Sequence, residues 1–285
     1  MNIAIMTDSN SGISQEEGKE NGIIVNPMPF TIDGQDYLEG INLTTEDFFA
    51  KQTNGAEIFT SQPVVGDLTK SWDAALEDHD AIIHIPMSSG LSGSCQTAMM
   101  LAQDEKYEGK VFIVDSQRIS VTQKCDVYDA RALAKQGKTP QEIVDHLLAH
   151  KLEATIYLTV DTLEYLKKGG RLSPAAAALA GLLKIKPILT IQGEKLDRFD
   201  TARAMKKARK TMIKAVKKDF EERDLSDSRL FVVYSGDKET ALDYLEEVKE
   251  AFPGYDIQLD HLALSICCHV GPGVLAMAAA KNTVH

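Results

Sequence analysis

Residues 81–95 read Ala81-Ile82-Ile83-His84-Ile85-Pro86-Met87-Ser88-Ser89-Gly90-Leu91-Ser92-Gly93-Ser94-Cys95. A buried-strand run is followed by a serine–glycine loop and then by the start of a helix. The same grammar recurs on either side. Ile3–Met6 is a short apolar strand ending in Thr7-Asp8-Ser9, and Val111-Phe112-Ile113-Val114 is another buried run ending in Asp115-Ser116. Helix signals lie between. Thr44 with Asp47 resembles a capping box, and Thr139-Pro140-Gln141-Glu142 is a full one with proline at the first helical position. Thr60-Ser61-Gln62-Pro63 reads as a hydroxyl cap with proline in the first turn. Val65, Leu68, Trp72 and Leu76 then share one helical face. Ile23–Ile32 and Tyr37-Leu38 flank the hairpin signal Asp33-Gly34. Alternating strands and helices imply a mostly parallel sheet with helices on both faces.

The second half has a different rhythm. Thr155–Val160 reads as a strand, and a short helix through Leu163 and Leu166 ends at Gly169-Gly170. Ser173-Pro174 opens an alanine-rich helix. Ile188–Ile191 and Leu196–Phe199 form a hairpin about Gly193. A basic helix runs from about 202 to 221. Leu230–Tyr234, a helix over 239–252 and Ile257–Leu262 follow. His269-Val270-Gly271-Pro272-Gly273 reads as a tight turn into a last helix. The chain is therefore expected to be an α/β protein of two domains. Residues 1–152 form the mostly parallel sheet with flanking helices, and residues 153–285 form an α+β domain. A ligand is expected between them.

The chain has 285 residues and a net charge of −11, from 42 acidic against 31 basic side chains. Such a balance argues against general nucleic-acid binding and against an anionic membrane surface. No apolar run reaches the roughly 18 residues that span a bilayer. The longest, Ala175 to Leu183, stops at Lys184. The N-terminus has no basic leader and reaches Asp8 early. Cys95, Cys125, Cys267 and Cys268 show neither CxxC nor framework spacing and read as reduced thiols. A cytoplasmic protein without a membrane-inserted segment is expected.

Five segments could carry chemistry. In Ser88–Ser94, small residues let the backbone approach a ligand, and the following helix N-terminus favours an anion. The loop lacks G-x-G-x-x-G and Gly-Lys-Ser/Thr, so it is neither a dinucleotide fingerprint nor a P-loop. It misses the hydrolase elbow G-x-S-x-G because position 94 is serine. Thr60-Ser61-Gln62-Pro63 lies at a second strand-to-helix junction, where open α/β sheets bind ligands. His269 either donates to the same anion or is satisfied by backbone. One histidine without an acidic cluster gives a metal little to bind. Arg203, Lys206, Lys207, Arg209, Lys210, Lys214, Lys217 and Lys218 form a basic face opposite Met205, Ala208, Met212, Val216 and Phe220. That face is either simply solvated or suited to an acidic partner. Leu172–Ile191, including Leu182-Leu183, is either core or room for an apolar guest.

Taken together, these segments resemble the DegV family across essentially the whole chain. The matching residues are Thr7-Asp8-Ser9, Thr60–Pro63, Ser88–Ser94, Asp115-Ser116, Leu166–Ser173, Lys186-Pro187-Ile188-Leu189 and His269–Gly273. The resemblance implies a bacterial, two-domain lipid-binding protein that holds one long-chain fatty acid. It implies that the protein is no enzyme itself. It serves instead as the binding subunit of a fatty-acid kinase, presenting the carboxylate to a separate ATP-binding subunit for acyl-phosphate formation and phospholipid synthesis. It implies no cofactor. Carried over by motif, Thr60 and Ser92 bind the carboxylate with His269 nearby, and Ser61, Gly93 and Ser94 complete the cradle. Arg171 and Arg203 resemble positions at the carboxylate mouth and the kinase-docking surface. One departure is Ala276, where the resemblance leads us to expect a glycine after the Gly-Pro-Gly helix start. Two other readings compete. One is a serine hydrolase of lipid esters using Ser92 and His269, and the other a nucleic-acid-binding regulator using the 203–218 helix.

Overall fold

The computed structural model describes residues 1–179, 185–193 and 195–284. The chain divides into two compact units. One runs from Met1 to Lys151 and takes in the last residues from Thr283 on, and the other is Leu152–Asn282.

The first unit contains strands β1 (Ile3–Asp8), β2 (Ile23–Asn26), β3 (Pro29–Ile32), β4 (Gln35–Leu38), β5 (Ile58–Thr60), β6 (Ala81–Ile85) and β7 (Val111–Ile113). Its helices are α1 (Gln15–Asn21), α2 (Thr45–Thr53), α3 (Val65–Asp78), α4 (Ser94–Leu101), α5 (Val121–Lys135) and α6 (Pro140–Ala149). The main sheet has the order β2-β1-β6-β7, and every pairing in it is parallel. Strand alternation sorts its side chains onto two faces. Ile5, Ile83 and Ile85 pack with Val127, Leu133, Ile143 and Leu147 of α5 and α6. Ala4, Met6 and Ile82 pack with Leu68 and Trp72 of α3 and Ala98 of α4. Helices on both faces are what the strand–helix alternation implies. The Thr44 cap and the Thr139–Glu142 capping box both form.

Two local expectations change. The run 23–32 breaks into β2 and β3 at Asn26-Pro27-Met28-Pro29, because proline supplies no ladder N–H. β3 instead joins β4 and β5 in a small antiparallel sheet. Asp33 and Gly34 make the hairpin turn at φ 51° and 77°, as a two-residue turn of this hand requires. Thr60 does not cap a helix. It closes β5, and α3 starts five residues later with Val64 as its N-cap and no side-chain cap bond. The residue before a proline is driven to extended backbone, so Gln62-Pro63 carries the chain across to α3 as a linker.

The second unit contains β8 (Ala154–Thr159), β9 (Lys186–Ile191), β10 (Asp197–Ala202), β11 (Ser228–Tyr234), β12 (Ile257–His261) and β13 (Leu275–Lys281). Its helices are α7 (Glu164–Gly169), α8 (Pro174–Ala177), α9 (Met205–Glu222), α10 (Lys238–Ala251) and α11 (Leu264–Val270). One sheet has the order β10-β9-β8-β13-β11-β12. Only β11 and β12 run parallel in it. Met212 and Val216 of α9 and Tyr244 and Val248 of α10 cover Leu230, Val232, Met277 and Ala279.

The segment after Gly273 is a strand, not the expected last helix. Leu275–Ala280 is rich in alanine, which favours helix. Yet β13 is paired on one edge with β8 and on the other with β11. Its small side chains suit a central strand buried on both faces, so tertiary pairing overrides propensity. Ala276 thus belongs to a ladder, and the expected glycine of a helix start has no counterpart. Ser173 caps α8 through the Ala176 N–H, while Leu182-Leu183 lie outside the described residues.

Candidate functional site

In the first unit the candidate residues gather at the carboxyl ends of β1, β5 and β6. Asp8 ends β1. Its carboxylate accepts from the backbone N–H of Asn10 at 3.1 Å and of Met87 at 2.8 Å, and from Gln123 Nε2 at 3.2 Å. The same Gln123 amide donates to Thr7 Oγ1 and to the Ile85 carbonyl. One side chain from α5 therefore ties the ends of β1 and β6 together. Burial raises the pKa of Asp8 in spite of these bonds.

The Ser88–Ser94 loop folds on its own serines. The Ser88 carbonyl accepts from the N–H groups of Leu91 and Ser92 at 3.0 and 3.1 Å. Ser88 Oγ accepts from the Gly90 N–H at 3.2 Å. Ser92 Oγ accepts from the Ser94 N–H at 3.2 Å, which places it at the opening of α4. This is the helix-start geometry that suits an anion, with small residues around it.

The structure joins this loop to the Thr60–Pro63 segment through Gln62. Its Oε1 accepts from Thr97 Oγ1 at 2.9 Å. A β-carbon on Gly93 would stand 3.6 Å from that same oxygen. Thr60 is half-buried at the end of β5, and Ser61 is exposed with its N–H directed to the Pro29 carbonyl at 3.4 Å. Gln62, Ser94 and Thr97 line a small cavity with Asp8, Asn26 and His84. Ser94 Oγ and His84 Nδ1 are buried there without a hydrogen-bond partner. Cys95 is fully buried, and its thiol is pushed up to about 12 by burial first and then by Asp115. That removes it as a nucleophile at neutral pH.

In the second unit His269 sits in the last turn of α11. A β-carbon on Gly169 would come 2.3 Å from its Nδ1, so the end of α7 lies directly against the ring. Arg171 donates to the Gly169 carbonyl. Burial, and then the Arg171 guanidinium, hold the imidazole pKa down to about 4. At neutral pH His269 is therefore uncharged. A neutral imidazole beside a fixed cation suits an anionic oxygen.

The Gly271-Pro272-Gly273 turn is explained by close approach. Gly271 has φ 72° and its missing β-carbon would stand 2.4 Å from Tyr165 Cδ2. Gly273 has φ 80° and its own would stand 2.1 Å from Asp161 Oδ2. Ser235 holds the turn from the β11 side. Its Oγ donates to the Gly271 carbonyl at 2.7 Å and accepts from the Val274 N–H at 3.1 Å. Ser235, Tyr165 and Asp161 escape sequence reasoning because they belong to no motif. They act through space on a turn far along the chain.

Arg203 is exposed just before α9. The basic face of that helix is narrower than the sequence suggests. Arg209 is drawn to Glu247 at 3.2 Å and to the Thr240 carbonyl. Lys218 pairs with Glu222 at 3.6 Å. Lys206, Lys207, Lys210, Lys214 and Lys217 are exposed. The opposite stripe of Ala208, Met212 and Val216 is buried. No group of three or more metal-ligating side chains occurs among the described residues. Among them, too, no helix is long and apolar enough to cross a membrane.

The DegV family model, described as that of an uncharacterised protein family, matches residues 2–282. The chain belongs to the DegV family. A DegV domain-containing protein of Staphylococcus aureus strain N315 is 33% identical over 285 residues, covering 97% of this chain and 96% of that one. Protein DegV of Bacillus subtilis strain 168 is 30% identical over 280 residues, covering 97% and 98%. Among solved structures, a DegV family protein from Thermus thermophilus, described for its fatty-acid binding, superposes with a TM-score of 0.90. It is 31% identical, over 99% of this chain and all of that one. Bacillus subtilis DegV, described as a fatty-acid-binding protein, superposes with a TM-score of 0.87 at 28% identity, over 99% and 100%.

The family motifs now have visible work in this DegV family chain. Thr7 and Asp8 fasten the end of β6, at Ile85 and Met87, and Asp115 accepts from the Ser89 N–H at the entry of the loop. The hydrolase reading loses its local geometry. Non-glycine residues with positive φ among the described ones are Asp33, Gln117, Ser120 and Asp224. Ser92 is not among them, so it lacks the strained elbow of a hydrolase nucleophile, and its Oγ is engaged by the Ser94 N–H.

Proposed function

We propose that this chain binds one long-chain fatty acid and presents its carboxylate to a separate ATP-dependent kinase subunit. Thr60, Ser61, Ser92, Gly93, Ser94 and His269 are the carboxylate-binding groups. Arg171 and Arg203 serve the carboxylate mouth and the docking of the partner. The observation that carries the reading is a half-buried His269 set against Gly169, whose carbonyl Arg171 bonds, in a fold whose relatives at 28–31% identity are described as fatty-acid binders.

The chemistry asks little of this chain. A fatty-acid carboxylate is ionised at neutral pH and needs no general base. Its oxygen attacks the γ-phosphorus of ATP, the bond to the β-phosphate bridging oxygen breaks, and ADP leaves. The product is an acyl phosphate for phospholipid synthesis. Positioning and charge neutralisation dominate such a step, and the kinase subunit brings nucleotide and metal. The chain's own part is non-catalytic. Serine hydroxyls and a helix start orient one carboxylate oxygen, with His269 as a further polar contact and Arg171 as the nearby cation. A buried C16 tail contributes about 10 kcal/mol gross at ~0.8 kcal/mol per methylene, less the cost of association.

Mass spectrometry of lipid extracted from protein purified without detergent tests the binding. A stoichiometric fatty acid is the expected result. A chain that is empty and also fails to take up palmitate or oleate overturns the reading. Thr60→Ala combined with Ser92→Ala is expected to abolish acyl-phosphate formation with a cognate kinase while the fold persists.

A further inference from the structure

The segment Asp115-Ser116-Gln117-Arg118-Ile119-Ser120 joins β7 to α5 and is strained. Gln117 has φ 57°, and Ser120 has φ 56° with ψ −139°. Such conformations cost free energy for residues with a β-carbon and persist where their surroundings over-determine them. Here the surroundings do so. Arg118 is 4% exposed. Its guanidinium bonds Asp126 at 2.6 Å, the His150 carbonyl at 2.7 Å and the Lys151 carbonyl at 3.2 Å. The Ser120 N–H donates to the Asn10 carbonyl at 3.0 Å.

What this anchoring achieves is visible at the segment's other side. The Arg118 carbonyl accepts from the Ser88 N–H at 3.0 Å. Asp115 Oδ1 accepts from the Ser89 N–H at 3.2 Å. The Asp115 carboxylate also lies near Cys95, in the first turn of α4, where its charge helps to keep the thiol protonated. Asp115 therefore holds the candidate cradle at its entry, Ser89, and the Arg118 carbonyl holds it one residue earlier, at Ser88. From Ser88 the order passes inward, since its carbonyl fixes the Ser92 N–H and Ser92 Oγ fixes the Ser94 N–H.

We propose that Asp115 is a positioning residue for the Ser88–Ser94 cradle, and that the strained 115–120 segment is the brace that aims it. Asp115 sets the loop backbone that meets the ligand carboxylate. The inference rests on the fatty-acid reading for its ligand, but its structural core is independent of it.

The test compares Asp115→Ala with Asp115→Asn in the full chain. Asparagine keeps an acceptor for the Ser89 N–H, whereas alanine removes it. Palmitate affinity is expected to fall about tenfold in the alanine variant, the scale of one unsatisfied backbone donor. It is expected to return to within about threefold of the parent in the asparagine variant. Hydrogen exchange of the 88–94 amides should quicken in Asp115→Ala while the β1 and β6 amides keep their protection. Unchanged palmitate affinity in Asp115→Ala, with the parent binding, overturns the proposal. Loop exchange that stays at the parent rate overturns it as well, and so does quickening that spreads evenly through the unit. If the parent itself takes no palmitate, the fatty-acid reading fails alone, and the loop exchange still decides the role of Asp115.

Discussion

Nδ1 of His269 lies 2.3 Å from where a β-carbon on Gly169 would stand. The imidazole occupies space that only glycine leaves. The constraint is side-chain space and not backbone freedom, because Gly169 does not have a positive φ. Gly169→Ala should therefore fold and push the ring aside. Overpacking of this kind costs about 1–3 kcal/mol. The expected outcome is a modestly lower thermal midpoint with a disproportionate loss of fatty-acid affinity, read by titration with palmitate. Equal affinity in parent and variant would show that the ring position does not matter to the ligand.

Two histidines, His84 buried and His269 half-buried, give acid sensitivity a definite sign. Burial holds His84 down to about 3, and burial with Arg171 holds His269 down to about 4, against an ordinary value of 6.5. In both, the folded pKa lies below the unfolded one, so the unfolded chain binds more protons between those values. Stability is complete above about pH 6.5 and falls as the pH drops toward 4. Asp8, with its raised pKa, works against this trend, because its folded form takes up a proton more readily in acid. Each pKa unit is worth about 1.4 kcal/mol, so His269 contributes on the order of 3 kcal/mol at most. Urea midpoints between pH 7 and pH 4 should fall less steeply in His269→Gln than in the parent. Parallel profiles would remove His269 from the account.

The cysteines predict a reactivity order. Cys95, Cys125 and Cys267 are buried, and Cys268 is half-buried. The Cys95 thiol is also pushed up to about 12. Thiolate, not thiol, reacts with alkylating agents. At pH 8 iodoacetamide should modify Cys268 first, with Cys95 protected until the protein unfolds, as read by peptide mass mapping. Early labelling of Cys95 would mean that the start of α4 opens far more readily than its packing suggests.

Much of this architecture is legible in the sequence where local chemistry and tertiary context agree. Thr139 with Glu142, Asp33-Gly34 and the apolar runs at 81–85 and 111–114 each mean one thing locally, and the fold uses them so. The misread elements are those where context wins. Leu275–Ala280 has the composition of a helix and becomes the middle of a sheet, because β8 and β11 close on both of its edges. Ile58–Thr60 is too short to show a period, and its hydroxyls imitate a helix cap. The site divides in the same way. Ser92 stands in a recognisable loop and His269 just before a recognisable Gly-Pro-Gly turn, whereas Gln123 and Ser235 reach their partners across more than thirty residues of chain. No spacing rule reveals such a pair.

The α9 face supplies the last prediction. Lys206, Lys207, Lys210, Lys214 and Lys217 stand exposed on a chain whose net charge is −11. Their cost to stability is small, because exposed charges of this kind interact weakly in water. Their use is long-range attraction, which raises association rates and fades as salt shortens its reach to about 8 Å. If the face docks an acidic kinase subunit, Lys206→Glu with Lys210→Glu should leave fatty-acid content and thermal midpoint unchanged. Acyl-phosphate formation with the kinase and ATP should fall about tenfold at low salt, the parent and variant rates converging as salt rises. The Ala208–Met212–Val216 stripe beneath is buried and untouched by these substitutions, so a fold defect would not imitate the result. An undiminished rate in the double variant would move the docking surface elsewhere and leave α9 as a solvated cover for the sheet.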